Sequence, residues 1–456
     1  MKRLWTIVVL AMRSAVRLRL VATLFGLVVV LSLALPAVIQ HDGTIEGLVR
    51  VVQTYSLGAI SLMLALAVIW SSCGSLALDI QARQIQLVMV KPIQAWELWC
   101  GKWIAQVLLA GVMLACSFAL TWAMLSWRVW TGSWTEEDRR KLADQILVAR
   151  QSVPPTLPDF EARARERMEE DRAAGRWPEG LDPKAAWPMY RDLARTELFL
   201  IEPGGQRAYD VTPPKHDPTA PGQLEFRFLK STLDLEAVEL RWTILAADGQ
   251  ELWSTNGVWL PRRPYTLPLP PRVTVGGPGV RIVVYNREDR AAILLDPDEG
   301  LRLMVRTGNV GGNFVRAGLL LWVRLAVLAA IGVSAGAWFS MPVASLVGLA
   351  TGLMAAMAGY ISTTAARGPA LGEIFGYDRP WLGTVEQWWR RYFVVLSWFT
   401  TPFRGASVLE RLATGTVIPW GEVGQAALRA LVGTGLIAAA LGMLALTHRE
   451  LGGVQE

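Results

Sequence analysis

The chain has 456 residues, of which 52% are hydrophobic and only 18% charged, with a mean hydropathy of +0.31. Soluble domains average about 25% charged residues, so the composition excludes a disordered chain and argues against an ordinary soluble enzyme. The charge is partitioned. Residues 128–316 hold 28 of the 39 acidic and 27 of the 45 basic side chains, and the apolar remainder carries the net positive charge. Basic flanks around apolar runs point to membrane orientation rather than to nucleic acid.

A bilayer core of about 30 Å requires about 20 apolar residues in helix. Six stretches meet this, near 20–40, 55–78, 104–127, 317–338, 341–363 and 427–447. The first reads as a span rather than a cleaved signal, because Arg13, Arg17 and Arg19 interrupt the shorter apolar run before it. Lys2, Arg3, Arg13, Arg17 and Arg19 precede the first span, Arg50 alone precedes the second, and Arg83, Lys91 and Lys102 follow the second. The positive-inside rule then puts the N-terminus and the 79–103 loop in the cytoplasm. Six spans return the C-terminus to that side, and residues 128–316 lie outside the cytoplasmic membrane of a bacterium. Residues 364–426 carry six Arg against this pattern. Within them, the run after Arg390 and Arg391 is too short to span and predicts an interfacial or re-entrant helix with an aromatic belt.

The insert reads in two halves. Residues 135–200 predict helices, with Thr135 as an N-cap before Glu136, Glu137 and Asp138. Residues 201–310 alternate with a period of two at 224–228, 238–244, 251–254, 280–285 and 301–305, with turn signals between, which predicts an antiparallel β-sandwich. Trp242, Trp253, Trp259 and Tyr265 either form a platform for a sugar or lipid or pack between the sheets. Cys73, Cys100 and Cys116 lie in or beside apolar runs, with no disulfide or zinc spacing.

The catalytic motifs are missing. His41, His216 and His448 are far apart, and there is no Gly-x-Ser-x-Gly elbow, no His-Glu-x-x-His and no P-loop. The six apolar cores hold no carboxylate, whereas ion-coupled carriers keep one at membrane depth. Arg324 sits about two turns into the fourth span. It either snorkels or pairs with a carbonyl, or it lines a path for a polar or anionic substrate. Gly332 with Gly336, and Gly348 with Gly352, have the spacing that lets helices approach closely.

The loop between the second and third spans carries the most information. Ile80, Ile85, Leu87 and Val88 form an imperfect apolar stripe, Asp79, Arg83 and Gln86 are polar, and Pro92 breaks the pattern before Gly101 and Lys102. This predicts a short helix at the inner membrane surface, able to lie on lipid or to dock in a groove of a cytoplasmic partner. The acid at 79, the short helix, Lys91-Pro92-Ile93 and Gly101-Lys102 resemble the corresponding loop of ABC-2 type permeases. Further similarities run in order: the basic entry segment 11–19, Asn313 to Gly318, Ser340 to Ala344, Leu412 to Trp420, and the closing His448-Arg449-Glu450-Leu451. They cover the chain outside 128–312. Asp79 stands where that family usually has Glu, and His448 where it has Arg.

The resemblance implies a permease subunit, an exporter component, that pairs with a second permease copy and is driven by a separate cytoplasmic ATP-binding cassette subunit. That subunit would carry ATP and magnesium, and this chain would hold no cofactor. Asp79, Arg83, Gln86 and Lys91 would contact the ATPase, Pro92 and Gly101 would set the loop geometry, and Lys102 belongs to the same coupling loop. The expected fold is an α-helical polytopic membrane protein with an inserted α+β domain. Its parts are 1–127, 128–316 and 317–456. The rival reading is a membrane-anchored binding or scaffold component of an envelope complex.

Overall fold

A computed structural model describes residues 2–17, 19–38, 44–83, 93–136, 138, 142, 148–176, 183–214, 220–232, 234, 236–271, 273, 279–297, 300–367, 380–400, 403 and 408–448. The chain divides into two units. The first comprises 1–139, 311–414 and 418–456, and the second 140–310 with 415–417.

The first unit is helical: α1 (Lys2–Arg17), α2 (Arg19–Val38), α3 (Ile45–Val51), α4 (Leu57–Gln81), α5 (Ala95–Thr131), α8 (Val310–Trp338), α9 (Met341–Ala356), α10 (Ala358–Arg367), α11 (Pro380–Phe399), α12 (Val408–Ala413), α13 (Trp420–Arg429) and α14 (Leu436–His448). Wide π-turns at Val52–Ser56 and Ala430–Gly435 join α3 to α4 and α13 to α14. Among the described residues, four helices are long and apolar enough to cross a membrane: Gly47–Gln81, Ala95–Thr131, Val310–Trp338 and Trp420–His448. The runs expected to span near 20–40 and 341–363 give shorter apolar helices, Ala22–Val38 and Met341–Ala356. Pro36 lies in the last turn of α2, and a turn at Met357 ends α9 before α10 begins. The segment after Arg390 and Arg391 belongs to the 20-residue α11, whose Trp388, Tyr392 and Trp398 are exposed.

Two glycine pairs seat α8 and α9 on one helix, α4. A Cβ on Gly332 would lie 1.9 Å from the Ser72 hydroxyl, and one on Gly336 would lie 2.5 Å from the Cys73 carbonyl oxygen. A Cβ on Gly348 would lie 2.5 Å from Cγ2 of Ile69. The Cys73 thiol donates to the Ala344 carbonyl of α9 at 3.3 Å. Indoles tie the remaining helices. Trp103 of α5 donates to the Ala326 carbonyl of α8 at 2.9 Å, and Trp322 of α8 donates back to Val107 of α5 at 2.8 Å. Trp99 donates to Ser334 at 3.0 Å, and the Ser334 hydroxyl donates to the Ala438 carbonyl of α14 at 2.6 Å. In an apolar medium such groups have no water to fall back on, so helix-to-helix partners are required.

The second unit holds α6 (Phe160–Ala173), α7 (Pro183–Glu197) and eleven strands among its described residues: β1 (Val148–Val153), β2 (Leu200–Ile201), β3 (Gln206–Val211), β4 (Gly222–Phe226), β5 (Phe228–Lys230), β6 (Val238–Ala246), β7 (Glu251–Trp259), β8 (Tyr265–Leu269), β9 (Val280–Asn286), β10 (Ile293–Leu295) and β11 (Leu301–Asn309). They form antiparallel sheets of order β1-β11-β4-β8, β3-β9-β6-β7 and β2-β10-β5. The two four-stranded sheets share one core. Alternation along β6 turns Val238, Leu240, Trp242 and Ile244 inward, against Leu224 and Phe226 of β4 and Leu303 of β11. The unit is therefore sandwich-like.

The Thr135 hydroxyl accepts from the Asp138 N–H at 3.1 Å while its own N–H donates to the Asp138 carboxylate at 3.1 Å, the reciprocal pairing of an N-cap. The region expected to be helical also contains a strand, β1. It is the edge partner of β11, more than a hundred residues away in sequence, and the parallel stretch 415–417 flanks it through Arg150 N–H to Gly415 and Val417 N–H to Arg150, both at 2.7 Å. Arg150 is buried at the β1 bulge. Burial pushes its guanidinium down to about 10, and Glu225 pulls in the opposite direction.

Gly336→Val should lower stability by about 1–3 kcal/mol, because the added methyls meet helix backbone rather than a flexible side chain. Gly359→Ala, where a Cβ meets nothing within 4 Å, is the control. Melting temperatures of the two detergent-purified variants should separate, and equal values would disprove the α4–α8 seating.

Candidate functional site

The expected loop helix at 79–91 divides differently. Asp79 and Ile80 belong to the last turn of α4, because the helix runs on past the apolar stretch to Gln81. Ala82 N–H closes on the Leu78 carbonyl at 2.8 Å, and Arg83 takes a left-handed φ of 55° just past the end of α4. Arg83 is exposed at this tip. Gln86, Lys91 and Pro92 lie outside the described residues.

On the far side α5 starts at Ala95, nine residues before the expected span, so Gly101 and Lys102 are helical and do not shape a loop. The Gln94 N–H donates to the Glu97 carboxylate at 3.1 Å, which fixes that start. Gly101 instead admits α1. A Cβ there would lie 2.6 Å from Ile7, whose helix packs Val8 and Ala11 against Ala105.

The structure brings Asp79 and Lys102 together. The Lys102 ammonium donates to the Asp79 carboxylate and to the Ser75 carbonyl, the latter at 2.9 Å. Lys102 is only 8% exposed. A charge this deep is tolerated when paired, and the C-terminal end of α4 adds its own attraction for a cation. One turn further along, the Ser71 hydroxyl donates to Gln106 at 2.9 Å. Polar residues at 71, 75 and 79 on α4 thus face 106 and 102 on α5, each series at four-residue spacing. Sequence reading missed Ser71, Ser75 and Gln106, although small polar residues four apart in an apolar helix are a visible signal.

These side chains line a cavity of about 450 Å³, which Arg13 and Ser14 of α1 also border. The arrangement ties the end of α4 to the second and third turns of α5. Among the described residues, no group of three or more His, Cys, Asp or Glu is placed to hold a metal.

The aromatic set of the second unit becomes core. Trp242 is fully buried with its ring 4.3 Å from Phe226, so it has no surface to offer a ligand. Trp259 and Tyr265 meet the same Phe226 at 5.4 Å each, and the Tyr265 hydroxyl accepts from the Leu260 N–H at 2.8 Å. Trp253 lies six residues along β7 from Trp259, about 20 Å away at the usual strand rise, and packs separately on the core. No four-residue platform forms.

Asp79→Asn should destabilise the first unit by about 3–5 kcal/mol, because it strands the Lys102 charge. Lys102→Met with Asp79→Leu should recover much of that loss, and a thermal double-mutant cycle would measure the coupling. Additive losses would show that the pair does not clamp the helices.

No family model, curated protein or solved structure matches this chain.

Proposed function

We propose that this chain is the membrane-spanning permease subunit of an ATP-binding cassette exporter. The observation that carries the reading is the clamp of Asp79 on Lys102, set directly behind the exposed end of α4 at Ala82 and Arg83. A cytoplasmic ATPase that closes on this tip would drive α4 and α5 as one lever. The long apolar helices suit membrane embedding. The absence of a P-loop from the sequence fits energy supplied by another subunit.

In this reading the six apolar helices all cross the cytoplasmic membrane of a bacterium, the two shorter ones by locally thinning it. Both termini face the cytoplasm and the β-rich unit lies outside. Two copies pair around a shared path, and ATP with magnesium binds only to the partner subunits. Nucleotide-driven closure rocks the permease halves, and the external unit receives or hands on the cargo.

Arg83 is the residue to test, because Asp79 is committed to the clamp. Arg83→Glu should reduce co-purification of a cytoplasmic ATPase subunit from the native host by about tenfold, equivalent to about 1.4 kcal/mol, with no fall in melting temperature. Mass spectrometry of the gently solubilised complex reads the ratio. Envelope proteins in place of an ATPase, in wild type, would overturn the permease reading in favour of a membrane-anchored scaffold.

A further inference from the structure

A second cavity in the helical unit, of about 470 Å³, lies among α4, α8 and α9. That volume falls within the range of small-molecule sites. Its described lining is apolar except for Ser61 and Arg324. The Ser61 hydroxyl is turned back on the Gly58 carbonyl of its own helix at 2.9 Å, which leaves Arg324 as the lining's ionisable group. Arg324 is the fifteenth of the 29 residues of α8, deeper along the helix than its place in the apolar run implies. Four of the lining leucines, Leu62, Leu66, Leu349 and Leu353, are exposed. The cavity therefore opens on to the apolar outer surface of these helices, which in a bilayer is the lipid-facing side.

An ionisable residue at such depth marks a path or a ligand. We infer that this groove takes an anionic lipid from the bilayer, with headgroup oxygens on the Arg324 guanidinium and an acyl chain along the leucines of α4 and α9. A guanidinium matches the paired oxygens of a phosphate or carboxylate in two parallel hydrogen bonds. A second copy of the chain is the competing occupant, and its charge does not suit. Residues 20–38, 47–78, 98–131, 310–363 and 423–448 contain no Asp or Glu, so another copy's apolar helices offer Arg324 no carboxylate. The inference requires the helices to lie in a bilayer and is independent of any ATPase.

The test uses the full-length chain in a neutral detergent, titrated with dioleoylphosphatidylglycerol or dioleoylphosphatidylcholine, with retained lipid counted by native mass spectrometry. Wild type should retain the anionic lipid at least about fivefold better than the zwitterionic one. Arg324→Gln should abolish that preference, and Arg324→Lys should keep it in part. Leu353→Trp, at an exposed position, should reduce retention of both lipids and serves if Arg324→Gln fails to fold. Equal retention of the two lipids by wild type, an undiminished preference in Arg324→Gln, or unchanged retention in Leu353→Trp would overturn the inference. So would efficient copy-to-copy crosslinking through Leu353→Cys in native membranes, which would assign the groove to a second copy.

Discussion

The helical unit depends on the close approach of α8 and α9 to the Ser72–Cys73 stretch of α4. Glycines make that approach possible, because their missing Cβ atoms let backbone meet backbone. Once α8 is that near, its Trp322 indole reaches α5, its Ser334 hydroxyl reaches α14, and its middle turn brings Arg324 beside α4. The apolar surroundings make every such placement consequential. A polar group without water must find a partner on a neighbouring helix, so one spacing error would leave several donors unsatisfied at once. Cooperativity here comes from sparse polar contacts set in a matrix of small side chains.

Much of this is visible in the sequence, for local reasons. Apolar runs declare helices because length and composition need no knowledge of neighbours. The five alternating segments of the insert all become strands because period-two burial is a property of each strand alone. The same alternation already places Trp242 in phase with Val238, Leu240 and Ile244, which is why it is core. Strands β1, β3 and β10 are less legible. Their sequences are short or mixed, and distant partners decide their state.

The candidate site shows where local reading stops. Asp79, Lys102 and Gly101 are conspicuous in sequence, but their roles depend on what faces them. Gly101 looks like a loop glycine until α1 is laid across it with Ile7 over the gap. Lys102 looks like a surface anchor until α5 is extended back to Ala95 and the ammonium falls opposite Asp79. Opposite charges 23 residues apart carry no sign that they meet. The helix register that joins them becomes evident only with Ser71 and Gln106 in place.

The three-residue stretch 415–417 changes what kind of object the β-rich unit is. A cassette grafted into a loop is attached at two points, but this one is entered and left twice, with crossings at 139/140, 310/311, 414/415 and 417/418. A fragment cut at 140 and 310 would lack the partner that takes the Arg150 N–H and supplies its carbonyl with a donor. It would expose a raw sheet edge, a template for foreign strands. The unit is assembled from two stretches of chain separated by about a hundred residues, and the longer stretch alone does not complete it.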